Sequence, residues 1–165
     1  MYLKFRLKSW RIEELLQKGY QESAHIGLYG GRKQVYLLTP RYNESAEHYF
    51  VVKIIEKFIK KYTKKVKLYV SVHPDIIFEW AGRKIAIEVE TGKKLRRYNP
   101  WLENKKDNLF NYYFNWFFVV TSWKKKRTYL LYGPTFVRTQ VVKVLKEKVF
   151  DVGSNLPDIL FEMPD

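Results

Sequence analysis

The chain has 165 residues, enough for one domain with a real core, and 46% of them are hydrophobic, which excludes a disordered protein. Lysine and arginine number 31 against 17 aspartate and glutamate, a formal net charge of +14 that marks a polyanion binder, with nucleic acid first and an anionic membrane surface second. Cysteine is absent, which excludes disulfides and thiolate metal sites, and no apolar run approaches the roughly 20 residues of a membrane span, so a soluble cytoplasmic protein is expected.

Residues 2–8 alternate as a half-buried strand, with Leu3, Phe5 and Leu7 inward. Ser9 opens a short helix through Lys18, ended by Gly19, with Ile12, Leu15 and Leu16 as its apolar stripe. A hairpin follows over 25–39, with Gly30-Gly31 as its turn and Arg32 and Lys33 placed to meet phosphates. Gly27-Leu28, Arg32 and Tyr36-Leu37-Leu38-Thr39 resemble the wing of winged-helix DNA-binding domains. The segment is too short for a whole winged helix, and a hairpin packed on the domain is the simpler reading. We therefore place an N-terminal extension at 1–43 and the main domain at 44–165.

From Glu44 to Tyr62 the pattern is helical, with Val51, Ile54, Ile55, Phe58 and Ile59 on one side. Glu47 and His48 lie one turn before that stripe, at its rim. Residues 66–72 read as a strand. After it come two β-branched-rich runs, 75–80 and 83–90, around a short link containing Gly82. Ile85, Ile87 and Val89 share one face of the second run, and Ala86, Glu88 and Glu90 share the other. A turn at Ala81-Gly82 puts Asp75 opposite Glu88, whereas a turn at Gly82-Arg83 puts it opposite Glu90. Either register gathers three carboxylates. Such a cluster is costly without a cation, which a lysine ammonium or a divalent metal ion could supply.

The basic loop with Lys93, Lys94, Arg96 and Arg97 follows these acids directly, where a phosphate would need countercharge. Asn99-Pro100 starts a helix to about Tyr112, with Leu102, Leu109 and Tyr113 inward. The run 115–122 is a buried strand, and its aromatics read as core rather than as a base-stacking platform. Lys124, Lys125, Lys126 and Arg127 form the densest basic run after it. Residues 129–132 read as a short strand or turn, and 138–149 as an amphipathic helix. Residues 157–162 nearly repeat 74–79 but lack a following acidic strand, and read as a terminal strand or docked tail.

Pro74-Asp75, a hairpin and Glu88-Val89-Glu90, set in the order helix, three strands, helix, strand, resemble the PD-(D/E)xK nuclease superfamily. The resemblance covers roughly residues 44–150. It implies an α/β (α+β) fold with a restriction-endonuclease-like αβββαβ core, and a Mg²⁺- or Mn²⁺-dependent endonuclease that hydrolyses DNA with metal-activated water. By position Asp75 and Glu88 match the metal ligands, and Glu90 is a third ligand or water-positioning group. Glu90 stands where the family carries lysine, so Lys84, Lys93 or Lys94 would supply the ammonium. The first helix often adds an acid, for which Glu47 is the candidate and Glu44 the reserve. The superfamily includes Holliday-junction resolvases, restriction enzymes and mobile-element nucleases, and a resolvase-like homodimer is compatible with it. The Glu90 departure and the wing-like hairpin favour a second reading, a nuclease fold kept only for binding DNA. The charge pattern does not distinguish DNA from RNA.

Overall fold

The structure, a computed structural model, describes residues 1–39, 44–70, 73–91, 99–113, 115–152 and 161. Its described elements run β1 (Tyr2–Leu3), α1 (Ser9–Gln17), β2 (Gln21–Gly27), β3 (Gly30–Leu38), α2 (Ala46–Ile59), β4 (Val66–Leu68), β5 (Ile76–Trp80), β6 (Arg83–Glu90), α3 (Pro100–Tyr112), β7 (Asn115–Val120), α4 (Trp123–Tyr129), β8 (Thr135–Val137) and α5 (Val141–Leu145). The fold is mixed α/β. A five-stranded sheet in the order β4-β5-β6-β7-β8 stands beside a small antiparallel sheet in the order β1-β3-β2. β4, β5 and β6 are antiparallel, and β7 and β8 join them in parallel, as a crossover through α3 requires for β7.

Alternation along β6 and β7 divides the core between the sheet's two faces. Ile85, Ile87, Val89, Phe117 and Val119 pack with α2 and α5. Ala86, Trp116, Phe118 and Val120 pack with Leu102 and Leu109 of α3 and Tyr129 of α4. The two acids of β6 therefore point to the face that α3 and α4 cover. Leu28 and Leu38 belong to the same core as α2, so the small sheet shares its apolar interior with the large one. His25 stacks on Phe50 with ring centroids 4.3 Å apart, which fastens the β2–β3 hairpin to α2. Phe161 is buried against Phe117 and Phe136; the other residues of the expected terminal strand lie outside the described set.

Several expectations need correction. Only Tyr2 and Leu3 pair with β3, and a 3-10 turn at Lys4–Arg6 then leaves Phe5 exposed, so the expected strand to residue 8 is absent. The first hairpin reverses at Leu28-Tyr29, with Gly27 opposite Gly30, because Leu28 anchors the loop in the core. Arg32 and Lys33 are thus exposed on β3 just past the tip. The run Trp123–Arg127 is helix α4, capped by Ser122. Residues 130–132 form a turn, one of the two expected alternatives, after the helix ends at Tyr129, and the short strand β8 follows. The expected helix 138–149 divides into a 3-10 turn, α5 and a wider π turn at Lys146–Phe150. No described helix is long and apolar enough to cross a membrane.

The β5–β6 link is a two-residue turn at Ala81-Gly82, and Trp80 pairs with Arg83. Both turn residues have positive φ, 46° and 77°, the left-handed geometry that hairpin turns of matching twist require. Gly82 adopts it freely, while Ala81 carries a Cβ penalty. Ala81→Asn is expected to stabilise the fold by about 0.5–1 kcal/mol, since asparagine tolerates this geometry better than alanine. A denaturant midpoint that stays put or falls would show the turn to be placed differently.

Candidate active site

The Ala81-Gly82 turn selects one of the two registers. The last pair is Ile76 with Ile87, and Asp75, the residue just before β5, comes level with Glu88 when that register is continued by one position. The Val89 N–H donates to Asp75 Oδ2 at 2.8 Å and holds the carboxylate against β6. Tyr69 N–H donates to the Asp75 carbonyl at 3.1 Å, fixing the backbone just before β5.

From the other side, α2 contributes His48. Ser45 caps the helix by accepting from the His48 N–H at 3.2 Å, so His48 sits in the first turn. Its Nδ1 lies 2.8 Å from Glu44 Oε1 and its Nε2 lies 3.2 Å from Asp75 Oδ1. Burial, the largest single influence, lowers the His48 pKa, but the hydrogen bonds and charges of Asp75 and Glu44 outweigh it and raise the value to about 10. His48 is therefore an imidazolium near neutral pH, clamped between two carboxylates. Glu47, the expected acid of this helix, exerts its charge on His25 and Arg138 instead, and Glu44 approaches Asp75 through His48.

The decisive contact comes from α3. Lys105 Nζ donates to Glu88 Oε1 in a very close ion pair and to Glu90 Oε1 at 2.9 Å. The other Glu90 oxygen accepts from the Tyr129 hydroxyl at 3.0 Å. Burial pushes the Tyr129 phenol upward, and the Glu90 charge adds to it. Burial alone would push the Lys105 ammonium down, yet the two glutamates hold it above the usual lysine value. Glu88 and Glu90 are only 4% and 8% exposed, so their charges are not settled by water.

One ammonium does not settle them either. Glu88 stays well above the usual carboxylate range, first through burial and next through the charge of Asp75, although Lys105 pulls it down. Asp75 is thus close enough for its charge to be felt at Glu88, although its own oxygens meet His48 and the Val89 N–H. Among the described residues no group of three or more His, Asp or Glu side chains is arranged to hold a metal ion. The donor set suits Mg²⁺ in a different way. Glu88 has only its Oε1 engaged among the described residues, by Lys105, and each Asp75 oxygen keeps a lone pair beyond its contact with His48 or the Val89 N–H; Mg²⁺ is ordinarily held by one or two carboxylates with water and phosphate in the remaining positions. A divalent cation would also offset the charge excess that Lys105 leaves.

Beside these acids a cavity of about 720 Å³ opens between β6 and α3, lined by His73, Lys84, Glu88, Trp101, Lys105 and Tyr112 among others. Lys84, a candidate for the missing ammonium, reaches this cavity rather than the acids' ion pair. Lys125 donates to the Thr91 carbonyl and, at 2.9 Å, to Thr121 Oγ1, closing the ends of β6 and β7. Lys126 is half-buried, its pKa lowered by burial, and bonds Gln140 Oε1 at 3.1 Å, whereas Lys124 and Arg127 are exposed. Lys93, Lys94, Arg96 and Arg97 lie outside the described residues.

Lys105 escaped the sequence reading, although one signal was present. It falls three residues after Leu102 and four before Leu109, a charge set into the buried stripe of α3. Comparison with known proteins adds no relative: no family model, curated protein or solved structure matches the chain.

Two outcomes follow from this electrostatic arrangement. The folded His48 pKa lies above its ordinary 6.5, so its stabilisation is complete below about pH 6.5 and is lost as pH rises towards 10. The unfolding free-energy difference between wild type and His48→Gln is expected to shrink across that window; a difference independent of pH would contradict the clamp. Lys105→Met should cost about 3 kcal/mol near neutral pH, because it strands two buried carboxylates. Unfolding curves should recover as pH falls and the glutamates take up protons, and an unchanged deficit at low pH would contradict this pairing.

Proposed function

We propose that the chain is a Mg²⁺-dependent endodeoxyribonuclease built on the restriction-endonuclease-like αβββαβ core. The observation that carries the reading is the arrival of Lys105 Nζ at Glu88 and Glu90, across from Asp75. It gives the acid cluster the ammonium that the Glu90 position lacks, from a neighbouring helix instead of the strand. The element order from α2 to β7 and the Asp75–Glu88 register support the same reading.

Asp75 and Glu88 would hold the cation, which when bound polarises a phosphodiester and lowers the pKa of water. Lys105 offers a positive charge to the phosphate as negative charge develops on it. Glu90, with both oxygens engaged by Lys105 and Tyr129, serves to aim Lys105. His48, backed by Glu44, and the Val89 N–H orient Asp75. Lys124 and Arg127, Arg32 and Lys33, and the basic residues 93, 94, 96 and 97 supply positive charge for the DNA backbone.

The experiment is a cleavage assay on supercoiled, branched and single-stranded DNA with Mg²⁺ or Mn²⁺. Metal-dependent nicking is expected, abolished by Asp75→Ala with Glu88→Ala. Lys105→Ala should slow it by about 100-fold or more, the usual loss when one charge-stabilising donor is removed. Cleavage surviving the double substitution would remove these acids from the chemistry. Tight, salt-dependent binding that ignores Mg²⁺, with no cleavage of any substrate, would instead select a DNA-binding module on the same fold.

A further inference from the structure

The cavity beside the acids has a lining that the cleavage chemistry does not use. Trp101, Asn104, Asn108 and Tyr112 all line it and follow one another at helical spacing along a single face of α3. Trp101 and Tyr112 are 54% and 78% exposed, whereas Leu102 and Leu109 are buried, Leu109 at the inner edge of the same cavity. Asn104 and Asn108 make no side-chain hydrogen bond among the described residues. Lys105 Nζ stands 4.1 Å from the Trp101 ring centroid. The indole is thus braced by the same ammonium that meets Glu88 and Glu90.

We propose that this cavity binds an unpaired nucleobase, so that the substrate is single-stranded or branched DNA rather than an intact duplex. The inference rests on the nuclease reading for the word substrate, and on the cavity alone for the base. Its chemistry suits that occupant. Aromatic rings stack on any base, and primary amides can bond base edges as donor and acceptor together. Lys84 and Lys105 supply positive charge at the cavity for the attached phosphate. A volume of about 720 Å³ lies within the range of small-ligand pockets and admits a nucleotide. A base still stacked within a duplex cannot offer both its faces and its pairing edge, so the base must first be free.

The test is fluorescence anisotropy of a labelled 12-nucleotide single strand and of its duplex, both in EDTA so that binding is read without cleavage. Wild type is compared with Trp101→Ala, Trp101→Phe, and Asn104→Ala combined with Asn108→Ala. Trp101→Ala should weaken single-strand binding roughly ten-fold or more, as expected for one lost stack, with duplex binding changed less than two-fold. Trp101→Phe should keep most of the affinity, and the double asparagine variant should lose part of it. Equal effects of Trp101→Ala on both DNA forms, or none on either, would overturn the proposal. So would a change in self-association without a change in DNA binding. If wild type cleaves nothing but Trp101→Ala still selectively loses the single strand, the nuclease reading fails and the base pocket stands. Efficient duplex cleavage untouched by Trp101→Ala has the opposite meaning.

Discussion

Two glutamates on one face of β6 are almost fully buried, and a single lysine from the neighbouring helix is shared between them. A buried ion pair adds little stability compared with apolar packing of the same volume, since desolvation offsets much of the attraction. Burying two like charges beside a third, Asp75, is worse still. A pocket saturated with lysine nitrogens would have argued for an inert, positively charged domain. Instead Lys105 is one charge against the two glutamates it touches, and the His48 cation is divided between Asp75 and Glu44. Glu88 remains hard to ionise even with Lys105 in contact. The arrangement is short of positive charge at one point, on a chain that has an excess of it elsewhere.

The sheet makes that concentration of charge structurally tolerable. β6 is flanked by β5 and β7, and its other face supplies Ile85, Ile87 and Val89 to the larger core. The strand is therefore held from both sides and from behind. α3 is pinned by Leu102 and Leu109, so Lys105 extends from a fixed support. Tyr129, buried against Phe118, fixes the far oxygen of Glu90. Each polar contact at the site is aimed by an apolar one, which limits how far the charges can relax.

What was legible in the sequence was short-range. Alternation within 83–90 put Glu88 and Glu90 on one face, and Ala81-Gly82 supplied one of two registers that gather Asp75 with them. Asn99-Pro100 marked the start of α3 to the residue. The failures share a cause, which is dependence on how elements dock. Whether Glu44 or Glu47 turns toward Asp75 depends on the rotation of α2, which the Ser45 cap and the buried Phe50 set together. Lys105 reaches Glu88 across 17 positions of sequence only because α3 lies across that sheet face. Likewise Phe5 fits a strand pattern but lies outside, because β3 pairs with only two residues of that segment. The basic run after β7 hid a helix, since four consecutive cations obscure any apolar period.

The central claim is that Asp75 and Glu88 form a cation site that Lys105 only partly neutralises. Its most direct measurement is calorimetric titration of Mn²⁺ into wild type and into Asp75→Asn, repeated in two buffers of different ionisation heat. The account predicts one bound ion per chain, with protons released on binding because Glu88 starts well above the usual carboxylate range, and loss of that binding in Asp75→Asn. Absence of binding to wild type, or identical titrations for the two proteins, would contradict it.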